Sequence, residues 1–225
     1  MSESDDWYRS NGWSKNDQEK FFAKIGSARS NNSRMQYARI KALSLIATGK
    51  KKKCQAAVLL LETALREWPS QYYLDIDGVY DALGDVHWVL GEAETAAKWY
   101  AKTITWKSWR GTGYWSYPEL IVTAHMFTMF EDALSIVNRL FHEQLVMPIQ
   151  YFIYHGVRAC VFAHENDIEL AKSEAAEALT YVGAGNLYLR YHPKVGLVDS
   201  SQHRALLSEL QQIVRLKVQP TMLTS

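Results

Sequence analysis

The sequence is poor in residues typical of disulfide-rich, metal-binding or linker-rich proteins, with two cysteines, five prolines and twelve glycines in 225 residues. Cys54 and Cys160 are far apart and form no ligand spacing, so free thiols in a reducing compartment are the simplest interpretation. No stretch approaches the roughly 18 consecutive apolar residues of a membrane span, so no membrane partner is expected.

The chain also lacks an excess of either charge, because 25 basic and 24 acidic side chains leave a net charge of +1. This balance argues against nucleic acid or an anionic membrane as the partner. The first ten residues contain Glu3, Asp5 and Asp6 and no apolar segment. We therefore expect no secretory signal and a cytoplasmic location.

Motifs that would carry catalysis are missing as well. There is no glycine-rich phosphate loop and no G-x-S-x-G turn. Neither His142-Glu143 nor His164-Glu165 is followed by the second histidine of a zinc-binding helix. The sequence therefore predicts no catalytic residue, no metal site and no cofactor.

What the chain does have is a repeat of alanines inside apolar helical patterns. Ala57, Ala96, Ala133 and Ala171 follow one another at intervals of 39, 37 and 38 residues. Periods of this length are typical of stacked helical hairpins, in which each unit buries its apolar face against the next. The period predicts an all-α repeat protein that presents a surface to a partner.

The clearest unit, DGVYDALGDVHWVLGEAETAAKWYAKTI, spans residues 77–104 and predicts two helices separated by Gly91. Gly84 and Ala96 are expected where the two helices approach most closely, because a larger side chain would push their axes apart. This unit resembles a tetratricopeptide repeat. The matching residues are Tyr80, Leu83, Gly84, His87, Gly91, Ala96 and Tyr100.

The resemblance implies a right-handed superhelical stack of about four such hairpins over residues 35–182. The flanks are expected to cap it, with residues 1–34 as an N-terminal cap helix region and residues 183–225 as an extended segment and a C-terminal cap helix. Ser14 and Asp17 resemble a capping box that opens the first helix. Its inward residues are expected to be Phe21, Phe22 and Ile25. The stretches DDWYRSNGWS and NNSRMQYARIKA also resemble small bacterial repeat proteins without an assigned role.

An acidic stripe is the first candidate partner-binding surface. Asp77, Asp81 and Asp85 recur every four residues on one predicted helix. The tetratricopeptide resemblance implies that Asp81, Asp85 and Trp88 line a concave peptide groove. One interpretation is an acidic groove with an aromatic floor, suited to a basic segment, and the other is a solvated helix face.

The second candidate surface is the aromatic segment WKSWRGTGYWSY, which is expected to form a long connection between repeats. Tryptophan, tyrosine and arginine dominate binding hot spots. The candidate contact residues here are Trp106, Trp109, Arg110, Tyr114 and Trp115. Alternatively, these rings widen the core between the second and third repeats. Lys50–Lys53 are expected to form a basic turn, either a solvated hairpin tip or a contact for an acidic partner.

Together these features favour a non-catalytic cytoplasmic protein that binds another protein through the groove or the tryptophan-rich connection. The partner could carry a basic segment, and the sequence does not indicate the oligomeric state. One specific hypothesis is a bacterial immunity protein that neutralises a toxin, and an adaptor or a peptide-sensing regulator is the alternative. A divergent enzyme that gathers histidine and acidic residues from several helices is a third, less favoured hypothesis.

Overall fold

The computed structural model describes residues 7–69, 73–104, 111–142, 145, 147–184 and 195–216. Within these residues the regular structure consists of ten α-helices and one 3-10 helix, without a strand. The predicted all-α class is therefore confirmed. The chain divides into two compact units, Met1–Ser116 and Tyr117–Ser225.

The first unit is built from helices that pack on their neighbours along the chain. They are α1 (Lys15–Gly26), α2 (Asn31–Ile46), α3 (Lys51–Glu67), α4 (Tyr73–Val89), α5 (Ala93–Ala101) and the start of α6 (Gly113–Thr123). α2 pairs with α3 and α4 pairs with α5, while α4 also packs on both α2 and α3. Leu45 of α2, Leu61 of α3 and Leu83 of α4 are fully buried. These three helices therefore enclose the core of the unit.

The second unit contains the rest of α6 and four further α-helices. After a 3-10 helix (Phe127–Met129) come α7 (Phe130–His142), α8 (Pro148–His164), α9 (Ile168–Thr180) and α10 (Arg204–Val214). α8 packs against both α7 and α9, and α10 packs on α8 and α9. The predicted C-terminal helix is present as α10, whose buried side chains are Leu206, Leu210 and Ile213.

The alanine period marks buried helix positions. Ala57, Ala96, Ala133 and Ala171 lie in α3, α5, α7 and α9, and each is fully buried. A small side chain at such a position lets a neighbouring helix approach closely.

The helix pair predicted around Gly91 is also confirmed. Gly91 separates α4 from α5 with φ 78°, in the left-handed region that glycine enters without strain. A side chain on Gly84 would overlap the ring of Tyr100 in α5. The expectation that α4 and α5 approach closely at Gly84 is therefore correct.

The start of α1 is only partly as predicted. The capping box is present, since Ser14 Oγ accepts from the Asp17 N–H at 3.2 Å and Asp17 Oδ2 accepts from the Ser14 N–H at 2.8 Å. Phe21 is buried, but Phe22 is 42% exposed, so the inward placement predicted for Phe22 is wrong. Adjacent residues of a helix point about 100° apart, so these two rings cannot both face the same neighbour.

The four lysines do not form the turn that the sequence analysis predicts. α3 begins at Lys51, so Lys51, Lys52 and Lys53 make its first turn. The chain reverses just before them, where Gly49 has φ 62°.

Candidate binding site in the first unit

The acidic side of α4 borders a cavity in the first unit. Asp77, Asp81 and Asp85 are four residues apart, and this spacing places them on one side of the helix. A cavity of about 280 Å³ lies along that side. The other residues that line it are Arg39 and Leu43 of α2, Gly78 and Ala82 of α4, and Gly111 and Thr112 before α6. We call this space the acidic cavity.

The interpretation of the acidic stripe as a solvated helix face is wrong. Asp77 is 9% exposed and Asp81 is 5% exposed, while Asp85 is partly buried. α4 packs on α2, and residues preceding α6 also contact this side of α4. These contacts remove the carboxylates from bulk water.

Asp81 is held at the beginning of α6. Its Oδ1 accepts a hydrogen bond from the Gly113 N–H at 3.1 Å, and Thr112 Oγ1 lies 3.5 Å from its Oδ2. A side chain on either Gly111 or Gly113 would overlap the Asp81 carboxylate, so both glycines permit this close approach.

The protonation of Asp81 responds to its surroundings. Burial raises the pKa of Asp81 to about 6, and the nearby Asp85 carboxylate adds to this effect. The hydrogen bond from Gly113 only partly offsets it. A bound cation would favour the ionised form and lower this pKa.

Asp85 is paired with a tyrosine. The Tyr100 hydroxyl donates to Asp85 Oδ1 at 2.6 Å. Burial raises the pKa of Asp85, and the hydrogen bond from Tyr100 only partly offsets this rise. Burial and the negative charge of Asp85 also raise the pKa of Tyr100 above its ordinary value, so Tyr100 remains a protonated donor.

Arg39 contributes the positive charge of the cavity lining. A side chain on Gly78 would overlap the Arg39 guanidinium, which therefore lies directly against the backbone of α4. Among the described residues, three carboxylates and this one guanidinium line the cavity, and this described lining is negative when the carboxylates are ionised. Such a lining can bind an ammonium or guanidinium group through charge-assisted hydrogen bonds.

The described aromatic candidates, Trp88, Tyr114 and Trp115, are not among the residues that line the acidic cavity. Trp88 is partly buried and meets the Tyr100 ring edge-on, with centroids 6.5 Å apart. Tyr114 and Trp115 belong to the first turn of α6, so the prediction of an irregular connection is wrong for them. Tyr114 is buried, in agreement with the core interpretation of this ring, and Trp115 is partly buried. The remaining candidates, Trp106, Trp109 and Arg110, lie outside the described residues.

Sequence reasoning missed Arg39, Gly78, Gly111 and Gly113 as parts of the site. A glycine inside a helical pattern indicates a close approach, and Gly78 in α4 is such a signal. The pairing of Asp81 with Gly113 has no comparable local signal, because the two residues are 32 positions apart.

A second cluster of ionisable groups lies in the second unit. Glu174 Oε1 accepts from Arg158 Nε at 2.8 Å, and Glu174 Oε2 lies 2.7 Å from His155 Nδ1. Arg158 Nη1 also donates to Asn138 Oδ1 at 2.9 Å. Burial alone would raise the pKa of Glu174, but the hydrogen bonds and charges of His155 and Arg158 bring it below its ordinary value.

Three further findings apply to the part of the chain that the structure describes. It contains no group of three or more His, Cys, Asp or Glu side chains arranged to hold a metal ion. None of its helices combines the length and apolar character needed to cross a membrane. Both thiols are buried, and burial raises the pKa of Cys160 to about 12.

No protein-family model, curated protein or solved structure matches this chain.

Proposed function

We propose that this chain is a non-catalytic binding protein that takes a lysine or arginine side chain of a partner protein into the acidic cavity. The observation that carries the proposal is the pair of shielded carboxylates, Asp81 and Asp85, beside an open volume of about 280 Å³. A cation that entered would find carboxylate oxygens in a region of reduced solvent, where charge-assisted hydrogen bonds are strong.

The architecture in this proposal is a right-handed superhelical stack of tetratricopeptide-like hairpins. The buried alanine in each of α3, α5, α7 and α9 supports it, and so does the close contact of Gly84 with Tyr100. Repeat stacks of this kind serve as binding scaffolds. Two roles fit such a scaffold. One is a cytoplasmic immunity protein that neutralises a toxin, and the other is an adaptor or peptide-sensing regulator.

The test is a selection of peptides from a random displayed library on the immobilised full-length protein. We expect enrichment of peptides that contain lysine or arginine. Their affinity, measured by fluorescence anisotropy, should fall about tenfold or more for Asp85→Asn, because a charged partner of the bound cation is lost.

Asp85→Asn keeps an oxygen that can accept from Tyr100, so the fold should be retained. The matched control is Asp132→Asn in α7 of the second unit, an exposed carboxylate that should leave affinity unchanged. Failure to enrich any peptides that contain lysine or arginine, or binding of these basic peptides to Asp85→Asn as tightly as to the wild type, would contradict the proposal.

Acid–base catalysis is the second candidate function. A carboxyl group whose pKa is about 6 and that borders a cavity could exchange a proton with a substrate near neutral pH. Asp81 already accepts a hydrogen bond from the backbone of α6, which favours a positioning role over proton transfer. Turnover of a small-molecule substrate that Asp81→Asn abolishes would favour the enzyme.

A further inference from the structure

A second concave surface of the first unit lies between α1 and α3, apart from the acidic cavity. It is a groove of about 390 Å³ with an apolar floor and a basic edge. Its main lining residues are Trp13 and Phe22 on one side and Lys52, Ala56, Leu59 and Leu60 on the other. We call it the lysine groove.

The groove leaves large apolar side chains in water. Leu59 is 66% exposed and Phe22 is 42% exposed. They lie in α3 and α1, two amphipathic helices whose inward-facing residues are buried. A single exposed leucine is ordinary. Two large apolar side chains that line one groove together with Trp13 form a contiguous patch, which is typical of an interaction surface.

The wall formed by Trp13 is held in place before any partner arrives. The Gln18 side-chain amide donates to the Trp13 carbonyl at 3.2 Å, and the Lys41 ammonium lies 5.5 Å from the Trp13 ring centroid. Lys53 donates to the Asn11 carbonyl at 2.6 Å. A preformed wall reduces the entropy lost on binding.

The start of α3 breaks the local rules for helix termini. α3 begins with Lys50 as N-cap and has no side-chain cap, a feature that it shares with α5 and α10. Its first turn holds Lys51, Lys52 and Lys53 and no acidic residue. Cations near the positive end of a helix dipole are unfavourable.

Within the part of the chain that the structure describes, Lys53 donates to the Asn11 carbonyl, but Lys51 and Lys52 receive no such compensation. No described carboxylate forms an ion pair with any residue of Lys50–Lys53. Lys52 is the one charged residue among the described residues that line the groove. Local rules broken without internal compensation are expected at functional surfaces.

We infer that the lysine groove docks an acidic amphipathic segment of a partner protein. Apolar side chains of that segment cover Leu59, Phe22 and Trp13, and its carboxylates meet Lys51, Lys52 and the uncapped N–H groups of α3. Charge complementarity selects this occupant, because the described residues that line the groove include a lysine and no acidic residue. The proposal is independent of the acidic cavity, which would take the opposite charge.

The experiment again selects peptides from a random displayed library on the full-length protein. We expect a class of peptides in which acidic residues flank apolar ones. Leu59→Asp should weaken these peptides at least about tenfold, since an apolar anchor is replaced by a like charge. Lys52→Glu should weaken them about threefold to tenfold and remove most of the dependence of Kd on salt. Replacing glutamate by lysine in the peptide should restore binding to Lys52→Glu.

Matched controls are Val89→Asp and Lys98→Glu, exposed positions of α4 and α5 that lie outside the groove. Both should leave the Kd of acidic peptides unchanged, and so should Asp85→Asn. Failure to enrich acidic–apolar peptides, or equal binding to Leu59→Asp, would overturn the inference. So would Leu59-dependent sedimentation with phosphatidylserine vesicles, which would assign the groove to a membrane, or a wild-type dimer that Leu59→Asp dissociates, which would assign it to a second copy.

Discussion

The two units bury carboxylates in opposite ways. In the first unit, Asp81 and Asp85 accept from neutral donors, the Gly113 N–H and the Tyr100 hydroxyl, and their pKa values are raised. In the second unit, Glu174 contacts Arg158 and His155, and its pKa is lowered.

This difference separates a candidate site from a structural cluster. The charge of Glu174 is already compensated by the protein, so an incoming cation has little to gain there. Asp81 and Asp85 are hydrogen-bonded but not neutralised by an ion pair among the described residues. They also line a cavity, where a ligand can supply the missing positive charge. The same residue chemistry therefore fits the proposed binding role in one unit and a stabilising role in the other.

The largest effect is expected from breaking the compensated cluster. Arg158→Met removes the main cation beside Glu174 and should lower the free energy of unfolding by about 3–4 kcal/mol, because a shielded carboxylate loses its partner. Chemical denaturation at neutral pH measures it. The matched control is Arg66→Met, whose ion pair with Glu67 is solvent-exposed and should contribute less than about 1 kcal/mol. Equal losses for the two variants would show that Glu174 does not depend on compensation.

The pH dependence of stability should have opposite signs in the two units. The pKa of Asp81 rises from an ordinary 3.8 to about 6 on folding, so the folded state binds its proton more tightly than the unfolded state does. Its contribution to stability is therefore present at low pH and is lost as pH rises from 3.8 to about 6. Asp81→Asn removes this titrating group. As pH rises through this window, the free energy of unfolding of the variant should therefore increase relative to that of the wild type, by up to about 3 kcal/mol.

Glu174 supplies the matched comparison for this measurement. Its lowered pKa means that its contribution is present above its ordinary pKa and is lost as pH falls through the folded value. Relative to wild type, Glu174→Gln should therefore lose stability as pH rises through the acid range. Urea denaturation from pH 3.5 to 7 gives both curves, and two variants with the same slope would contradict the distinction between the units.

A smaller effect is expected at Gly113, which lets the Asp81 carboxylate approach the start of α6 closely. A methyl group in Gly113→Ala would overlap the Asp81 carboxylate and the Thr103 hydroxyl, so we expect a loss of about 2 kcal/mol from overpacking. Gly26→Ala is the matched control, because open space surrounds that position. It should be neutral or stabilising by up to about 1 kcal/mol. Thermal unfolding checks both, and a neutral Gly113→Ala would show that Asp81 does not need this close approach.

Local sequence signals predicted where the helices form better than they predicted which side chains are exposed. The local signals act through neighbouring residues, and the structure contains them. They are the buried alanines Ala57 and Ala96, the capping box at Ser14 and the helix break at Gly91. Predictions about exposure were less successful. Phe22 was expected to be buried, and a solvated face was one interpretation of Asp81. Exposure depends on which helix packs on which face, and that information is distributed over distant segments.

By itself, the sequence determined the helical class, the helix pair around Gly91 and the positions where small side chains permit close packing, because periodicity and backbone preference are local properties. Only the tertiary structure decided that α2 and the start of α6 would shield the acidic stripe of α4, and that Lys51–Lys53 would open a helix beside an apolar groove. Burial and electrostatic environment arise from contacts between segments far apart in the chain. Those contacts place a row of aspartates along a cavity and Lys52 at the edge of a groove.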